Sequence, residues 1–191
     1  MVGLGVGTLA AYAHAGDTFR FYEINPESKR FAETQFTFLL RATGKVEVVL
    51  GDARLSMERE EPQNYDLLVL DAFSGDSIPV HLLTREAIEI FLRHLKPRGG
   101  FAVHITNRHL DLVPVVRKLA EHHDLKWAYI PYTSSDVAWH YTSFWMILSR
   151  DAAFLERELI RSAAVMPTAK DVPLWTDDYA SLLPLLKYEA R

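Results

Sequence analysis

VGLGVGTLAAYAHAGDTFRFYE (residues 2–23) joins a glycine-rich turn to an aromatic-rich segment that predicts a strand over 18–23. The glycines alternate as Gly3, Gly5 and Gly7, and the predicted strand ends on Glu23. Glycines at this spacing form a nucleotide-binding turn when they follow a buried strand. Only Met1 and Val2 precede them, where a strand of about five residues is usual. The sequence therefore predicts a truncated first strand in a chain that is a piece of a longer protein.

Beyond this turn, predicted strands and helices alternate along the chain. Strands are predicted at 18–23, 45–52, 65–73, 101–107, 126–132 and 142–149, and helices at 8–14, 26–40, 54–60, 84–95, from about 112, and 151–163. The segment KPRGG (96–100) is expected to end the fourth of these helices. Only TSSDVAWH separates the last two strands, which is too short for a helical crossover, so they should pair antiparallel.

This alternation predicts an α/β fold, Rossmann-like and doubly wound, with a mostly parallel sheet covered by helices and an antiparallel pair of strands near the C-terminus. No segment has the composition of a linker between domains. We expect residues 1–150 to form one domain and residues 151–191 to form a C-terminal helix and tail packed on it.

Composition excludes several classes of function. The 191 residues carry 21 Lys and Arg against 25 Asp and Glu, a formal charge of −4 that does not attract nucleic acid or an anionic membrane but tolerates a cationic substrate. There is no cysteine, so a disulfide or thiolate metal site is excluded. The eight histidines follow no metal-binding spacing, so we predict no metal. No apolar run approaches the roughly 20 residues of a membrane span, and the protein is expected to be cytoplasmic.

An acidic residue lies at the end of each of three successive predicted strands. Open α/β folds bind ligands at this edge of the sheet. Glu23 lies 20 positions after Gly3, the position of an acid that accepts hydrogen bonds from both ribose hydroxyls of a nucleoside. Asp52, beside the backbone amide of Ala53, can bind the exocyclic amine and ring nitrogen of adenine. Its structural alternative is an N-cap of the next helix, and the two roles are compatible.

The third acid, Asp71, follows an apolar run and is costly to desolvate, so it is expected over a cleft. Asp76 lies five residues further on, and the two carboxylates can hold an ammonium group between them. The aromatic segment from Trp139 to Trp145 either covers a pocket or belongs to the core. WTDDY (175–179) either starts a helix, capped by its own threonine or aspartate, or contacts substrate.

Several motifs together resemble the spermidine synthase-like, or polyamine aminopropyltransferase, family of the class I S-adenosylmethionine-dependent methyltransferase fold. They are VGLGVGT, FYEINP, VEVVLGDAR, WTDDYASLL and, most specifically, residues 65–107. The resemblance implies a seven-stranded sheet and a cofactor that is S-adenosylmethionine or its decarboxylated form. It places Gly3 to Gly7 along the cofactor, Glu23 on ribose, Asp52 near adenine and Asp71 on the amine of a putrescine-like substrate. A homodimer is left open.

The chain also departs from that family. Aminopropyltransferases have an acid in the glycine turn, GGGDG, where this chain has Val6, and their two substrate acids are three rather than five positions apart. Aminopropyl transfer to a diamine, in polyamine biosynthesis, is the leading interpretation. Methyl transfer to an unknown acceptor and a non-catalytic nucleoside-binding or scaffold domain are the alternatives.

Overall fold

The computed structural model describes residues 1–72, 79–133, 141–168 and 170–187. Strands and helices alternate in these ranges, which agrees with the predicted α/β class. The strands are β1 (Thr18–Glu23), β2 (Lys45–Leu50), β3 (Tyr65–Leu70), β4 (Leu95–His104), β5 (Lys126–Tyr132) and β6 (Ser143–Ser149). The helices are α1 (Pro26–Gln35), α2 (Phe38–Arg41), α3 (Ala53–Arg59), α4 (Arg85–Arg93), α5 (Val113–His122), α6 (Ala152–Leu155) and α7 (Glu158–Ala163). Short 3₁₀ helices cover Thr8–Tyr12, Val80–Leu82 and Leu183–Leu185.

The chain divides into two compact units. The first contains Met1–Glu61 and Leu70–Ala72, and the second contains Pro62–Val69 and Phe73–Arg191. The predicted boundary at residue 150 stays a prediction. Among the helices of the described ranges, none combines the length and the apolar character needed to cross a bilayer.

The first unit contains a two-stranded parallel sheet, to which Val2 adds an isolated bridge. β1 and β2 pair in a register that sets Thr18 opposite Lys45 and Glu23 opposite Leu50. Val2 forms isolated parallel bridges to Tyr22 and to Leu70, and the truncation of the first strand stays a prediction. Tyr22 donates its backbone N–H to the Met1 carbonyl at 2.9 Å. The segment before the glycine turn is thus fixed by backbone hydrogen bonds although it is too short to be a full strand.

The second sheet has the strand order β3-β4-β6-β5. β6 pairs antiparallel with both β4 and β5, so the predicted antiparallel pairing of the last two strands is present. The seven-stranded sheet that the resemblance implied is not what the described residues form, since they contain one sheet of two strands and one of four.

Two predicted boundaries were wrong. KPRGG lies within β4 instead of ending a helix, and Gly99 and Gly100 in it lie where no side chain fits. A Cβ on Gly99 would lie 3.0 Å from the Tyr65 carbonyl oxygen, and one on Gly100 would lie 2.2 Å from the Phe154 ring. The helix predicted over 151–163 is divided into α6 and α7, since Arg157 between them has a ψ of 135°.

WTDDY does not begin a helix. Its tryptophan, Trp175, is buried with 1% exposure, and its carbonyl accepts the backbone N–H of Arg85 at 2.9 Å. Asp177 accepts a hydrogen bond from the Thr84 hydroxyl at 2.8 Å, while the same hydroxyl caps α4 by accepting the Ala87 N–H. The motif therefore anchors the C-terminal region on the start of α4.

Substitution of Gly3 tests how closely the first residues of the chain pack against Asp71. It has a φ of 96°, and a Cβ there would lie 2.0 Å from the Asp71 carbonyl oxygen. Gly16 has the same φ with nothing within 4 Å, and is a matched control. We expect Gly3→Ala to lower the free energy of unfolding by roughly 3 kcal/mol or more, and Gly16→Ala by about 1–2 kcal/mol, because only the first adds a backbone clash to the left-handed conformation. Urea unfolding measures both, and equal losses would contradict the described fit.

Candidate functional site

The glycine turn has three left-handed residues with different surroundings. Gly3, Gly5 and Gly7 have φ values of 96°, 55° and 81°. Gly7 is buried and precedes the 3₁₀ helix Thr8–Tyr12, and a Cβ on it would lie 2.7 Å from a methyl carbon of Leu39. Gly5 is exposed, and a Cβ on it would meet nothing within 4 Å. The surroundings of Gly3 and Gly7 therefore leave no room for a side chain, whereas Gly5 borders open space.

Leu4 holds the turn in the core of the first unit. Its side chain is 5% exposed and belongs to an apolar cluster with Ala10, Phe21 and Ala32. Its backbone N–H donates to the Glu23 Oε2 at 3.0 Å. One residue thus fixes the turn both through its side chain and through its amide, so that the neighbouring Gly5 is presented outward.

Glu23 organises the ends of the surrounding segments. Its side chain accepts the Leu4 N–H at Oε2 and the Asn25 N–H at Oε1, the latter at 2.8 Å, while its carbonyl accepts the Gly51 N–H at 2.9 Å. The residue is only 8% exposed. A carboxylate has about four lone-pair positions, so roughly two remain after these contacts. That capacity matches a pair of neighbouring hydroxyl groups.

Asp52 is the N-cap of α3, as its structural alternative proposed. Its Oδ1 accepts the Leu55 N–H at 2.9 Å, and Ala53, the first residue of the helix, is 5% exposed. Asp52 follows β2 directly after Gly51, whose amide is bonded to Glu23. The capping role is therefore present, and the contact with a base stays a prediction.

A polar network ties α3 to β1 and so sets where Asp52 lies. Arg20 on β1 donates to Glu47 at 3.2 Å and to Glu60 at 2.8 Å, and the Tyr22 hydroxyl donates to Glu60 at 2.6 Å. Glu60 is the residue that ends α3. Hydrogen bonding from Lys45 holds the pKa of Glu47 below its ordinary value, so this carboxylate stays charged opposite Arg20.

Asp71 lies in the same unit as the turn. It follows β3, is half-buried, and donates its backbone N–H to the Val2 carbonyl at 2.9 Å. Its carbonyl oxygen is the atom that leaves no space for a side chain on Gly3. The structure thus brings Gly3, Glu23, Asp52 and Asp71 into one connected set of strand ends. Asp76 lies outside the described residues.

The predicted aromatic roof is only partly described. Trp139 and His140 lie outside the described residues, whereas Tyr141 is 83% exposed. Trp145 is half-buried and stacks on His104 with ring centroids 4.7 Å apart. These rings belong to the second unit.

Sequence reasoning missed two features. Ile24, directly after Glu23, is 68% exposed and offers an apolar surface beside the carboxylate; the isoleucine in FYEINP was the available signal. In the second unit a pocket of about 300 Å³ includes Asp111 and Lys187 among its lining residues. No pattern in the sequence connects residues so far apart along the chain.

No family model matches the chain. Over 91 residues it is 36% identical to the polyamine aminopropyltransferase of Vibrio vulnificus, a match that covers 45% of this chain and 30% of that protein. It is also 32% identical over 105 residues to an N-terminal histidine N-methyltransferase of Emericella nidulans, covering 54% of this chain and 19% of that protein. The chain therefore spans less than a third of the length of these curated relatives.

Among solved structures, the chain resembles a spermidine synthase in complex with the transition-state analogue AdoDATO. The TM-score is 0.59 at 13% identity, and the match covers 93% of this chain and 62% of that one. At that identity the likeness concerns the fold. The chain is thus similar to a polyamine aminopropyltransferase over part of its sequence, and its fold resembles that of spermidine synthase.

Proposed function

We propose that the first unit binds a cofactor of the S-adenosylmethionine class and that the protein is a transferase acting on an amine. The observation that carries this proposal is the open space at Gly5, next to a turn that is hydrogen-bonded to the Glu23 carboxylate. A bulky side chain beside Gly5 would have excluded a nucleoside there. The relatives support the same class of reaction, since one is an aminopropyltransferase and another a methyltransferase.

The residues of the turn fit an adenosine in three respects. Gly5 lets a ligand approach the backbone, Glu23 retains acceptor positions for ribose hydroxyls, and Asp52 lies at the start of α3 directly after β2, where the amine of adenine is proposed to bind. Glu23 and Asp52 are already oriented by backbone N–H groups, so little side-chain freedom is lost when a ligand binds. Ala53 would contribute its backbone amide to the ring nitrogen of adenine.

When bound, such a cofactor would supply a sulfonium with an adjacent carbon that an amine nitrogen attacks as the carbon–sulfur bond breaks, so that the leaving group is a neutral thioether. Asp71 would orient the attacking amine and accept its proton, since an amine must be neutral to react. Asp76 would hold the distal ammonium of a diamine. The chain's net charge of −4 agrees with a cationic acceptor. Aminopropyl transfer to a putrescine-like diamine is the reaction we propose first.

Methyl transfer is a second candidate, favoured by Val6. This apolar residue stands in the glycine turn where aminopropyltransferases have an acid, so it offers no charge to the amino group of a decarboxylated cofactor. The 32% identity with a methyltransferase agrees with this alternative. Both candidates use the same site for adenosine and differ in the donor.

A donor test separates these candidates. Incubation with putrescine and decarboxylated S-adenosylmethionine should yield spermidine, detected by mass spectrometry, and Asp71→Asn should reduce the rate at least 100-fold through loss of the proton acceptor. No spermidine, together with binding of S-adenosylmethionine, would replace aminopropyl transfer by methyl transfer. No calorimetric binding of either donor or of methylthioadenosine would leave the scaffold alternative.

Gly5→Ala tests the position of the cofactor. The added methyl group should weaken methylthioadenosine binding at least tenfold, about 1.4 kcal/mol, because it occupies the space that the ligand needs. Gly16→Ala is the matched control, since it also has a positive φ and open surroundings but lies outside the turn. Calorimetry on both variants provides the comparison. Unchanged affinity in Gly5→Ala would remove the main support for the proposal.

Asp52→Asn separates capping from ligand binding. Asparagine caps helices as well as aspartate, so we expect the free energy of unfolding to stay within about 0.5 kcal/mol, whereas Asp52→Ala should lose about 1 kcal/mol. If the Asn oxygen keeps the bond to Leu55, its amide N–H₂ faces the amine of adenine, and affinity for methylthioadenosine should fall about tenfold. Affinity equal to that of the wild type would assign Asp52 to the helix alone.

A further inference from the structure

The second unit contains a pocket that the proposed function does not use. Its volume is about 300 Å³, and its walls include Ile105, Leu112, Tyr129 and Phe144. Ile105 and Leu112 are buried at 3% and 1% exposure, and the two aromatic rings lie 6.2 Å apart at an angle of 56°. All lining residues belong to the second unit, and none belongs to the glycine turn.

Backbone pairing fixes two further walls of this pocket. The segment at Leu185–Lys187 runs antiparallel to residues 109–111, with the Asp111 N–H donating to the Leu185 carbonyl and the Lys187 N–H to the His109 carbonyl, both at 2.8 Å. Leu185 itself is fully buried. On the other side, Val165 donates its N–H to the Tyr129 carbonyl at 2.9 Å, which leads Pro167 and Thr168 into the lining. The pocket is therefore built by defined hydrogen bonds.

Two opposite charges line the pocket. The Asp111 Oδ1 accepts the Val113 N–H at 3.1 Å, and Lys187 donates one ammonium N–H to the Asn107 carbonyl at 2.7 Å. Within the described ranges Asp111 and Lys187 form no ion pair with each other. A carboxylate oxygen and two ammonium protons thus remain for a ligand. Burial raises the pKa of the Tyr129 phenol, and the charge of Asp111 raises it further, so the phenol stays neutral.

We propose that this pocket binds a small zwitterion with an apolar side chain, of the class of free α-amino acids. Its ammonium group pairs with Asp111, its carboxylate pairs with Lys187, and its side chain lies against the apolar and aromatic walls. A pocket of this size is at the lower end for ligand sites and suits a molecule of about ten non-hydrogen atoms. Asp111 is half-buried, so its pairing with the ammonium group is stronger than it would be in water, whereas Lys187 is exposed and its pairing with the carboxylate is weaker.

L-leucine, with two analogues that each remove one charge, tests the proposal. We expect leucine to bind with a dissociation constant of about 0.1–1 mM and to shift the ring proton signals of Tyr129 and Phe144 in NMR titrations. N-acetyl-L-leucine lacks the ammonium group and L-leucinamide lacks the carboxylate, so each should bind at least fivefold more weakly. No shift of these rings at about 10 mM leucine, or equal binding of all three compounds, would overturn the proposal.

Two variants assign the charges. Asp111→Asn keeps an acceptor for Val113 and should remove the preference for leucine over N-acetyl-L-leucine. Lys187→Gln keeps a donor for Asn107 and should remove the preference for leucine over L-leucinamide. Asp124→Asn and Lys126→Gln change the same charges at exposed positions outside the lining and should have no effect. If the pocket variants keep both preferences, the assignment is wrong. Gly5→Ala should leave leucine binding unchanged, which separates this test from that of the proposed function.

Discussion

The hydrogen bond from the Leu4 N–H to the Glu23 carboxylate is the contact on which the candidate site depends. It joins the glycine turn to the end of β1 at 3.0 Å, in a position where Glu23 is 8% exposed and Leu4 is in the core. An N–H bonded to a carboxylate is stronger than one bonded to a neutral acceptor, and a buried one is costly to break. The Glu23 carboxylate also accepts the Asn25 N–H, and the Glu23 backbone carbonyl accepts the Gly51 N–H. The turn and the ends of β1 and β2 are therefore held together before any ligand arrives.

Side-chain contacts hold the glycine turn together with backbone pairing. Val2 forms isolated bridges to Tyr22 and Leu70. The Glu23 carboxylate adds a hydrogen bond to the Leu4 N–H, and the buried Leu4 side chain adds apolar packing. The network of Arg20, Glu60 and Tyr22 does the same for α3, since it ties the end of that helix to β1.

The alternation of elements and the carboxylates at strand ends could be predicted because they depend on local patterns. Periodicity indicated the α/β class, and the spacing from Gly3 to Glu23 indicated two residues that prove to be joined through the intervening Leu4. The capping role of Asp52 could also be predicted beside its proposed contact with adenine, because a capping aspartate has a short-range signature. Gly99 and Gly100 misled the prediction, since their small size serves contacts with Tyr65 and Phe154 that are distant in sequence. The pocket between Asp111 and Lys187 depends on pairing across 76 positions, for which the sequence carries no periodic signal.

The contrast between Gly5 and Asp52 has a consequence for evolution. Asp52 caps a helix whether or not a nucleoside binds, so a descendant that abandoned catalysis would still be selected to keep it. Gly5 has no neighbour to avoid, and asparagine also tolerates its left-handed conformation. Loss of the glycine at this position would therefore mark decayed copies of the gene earlier than loss of Asp52 would.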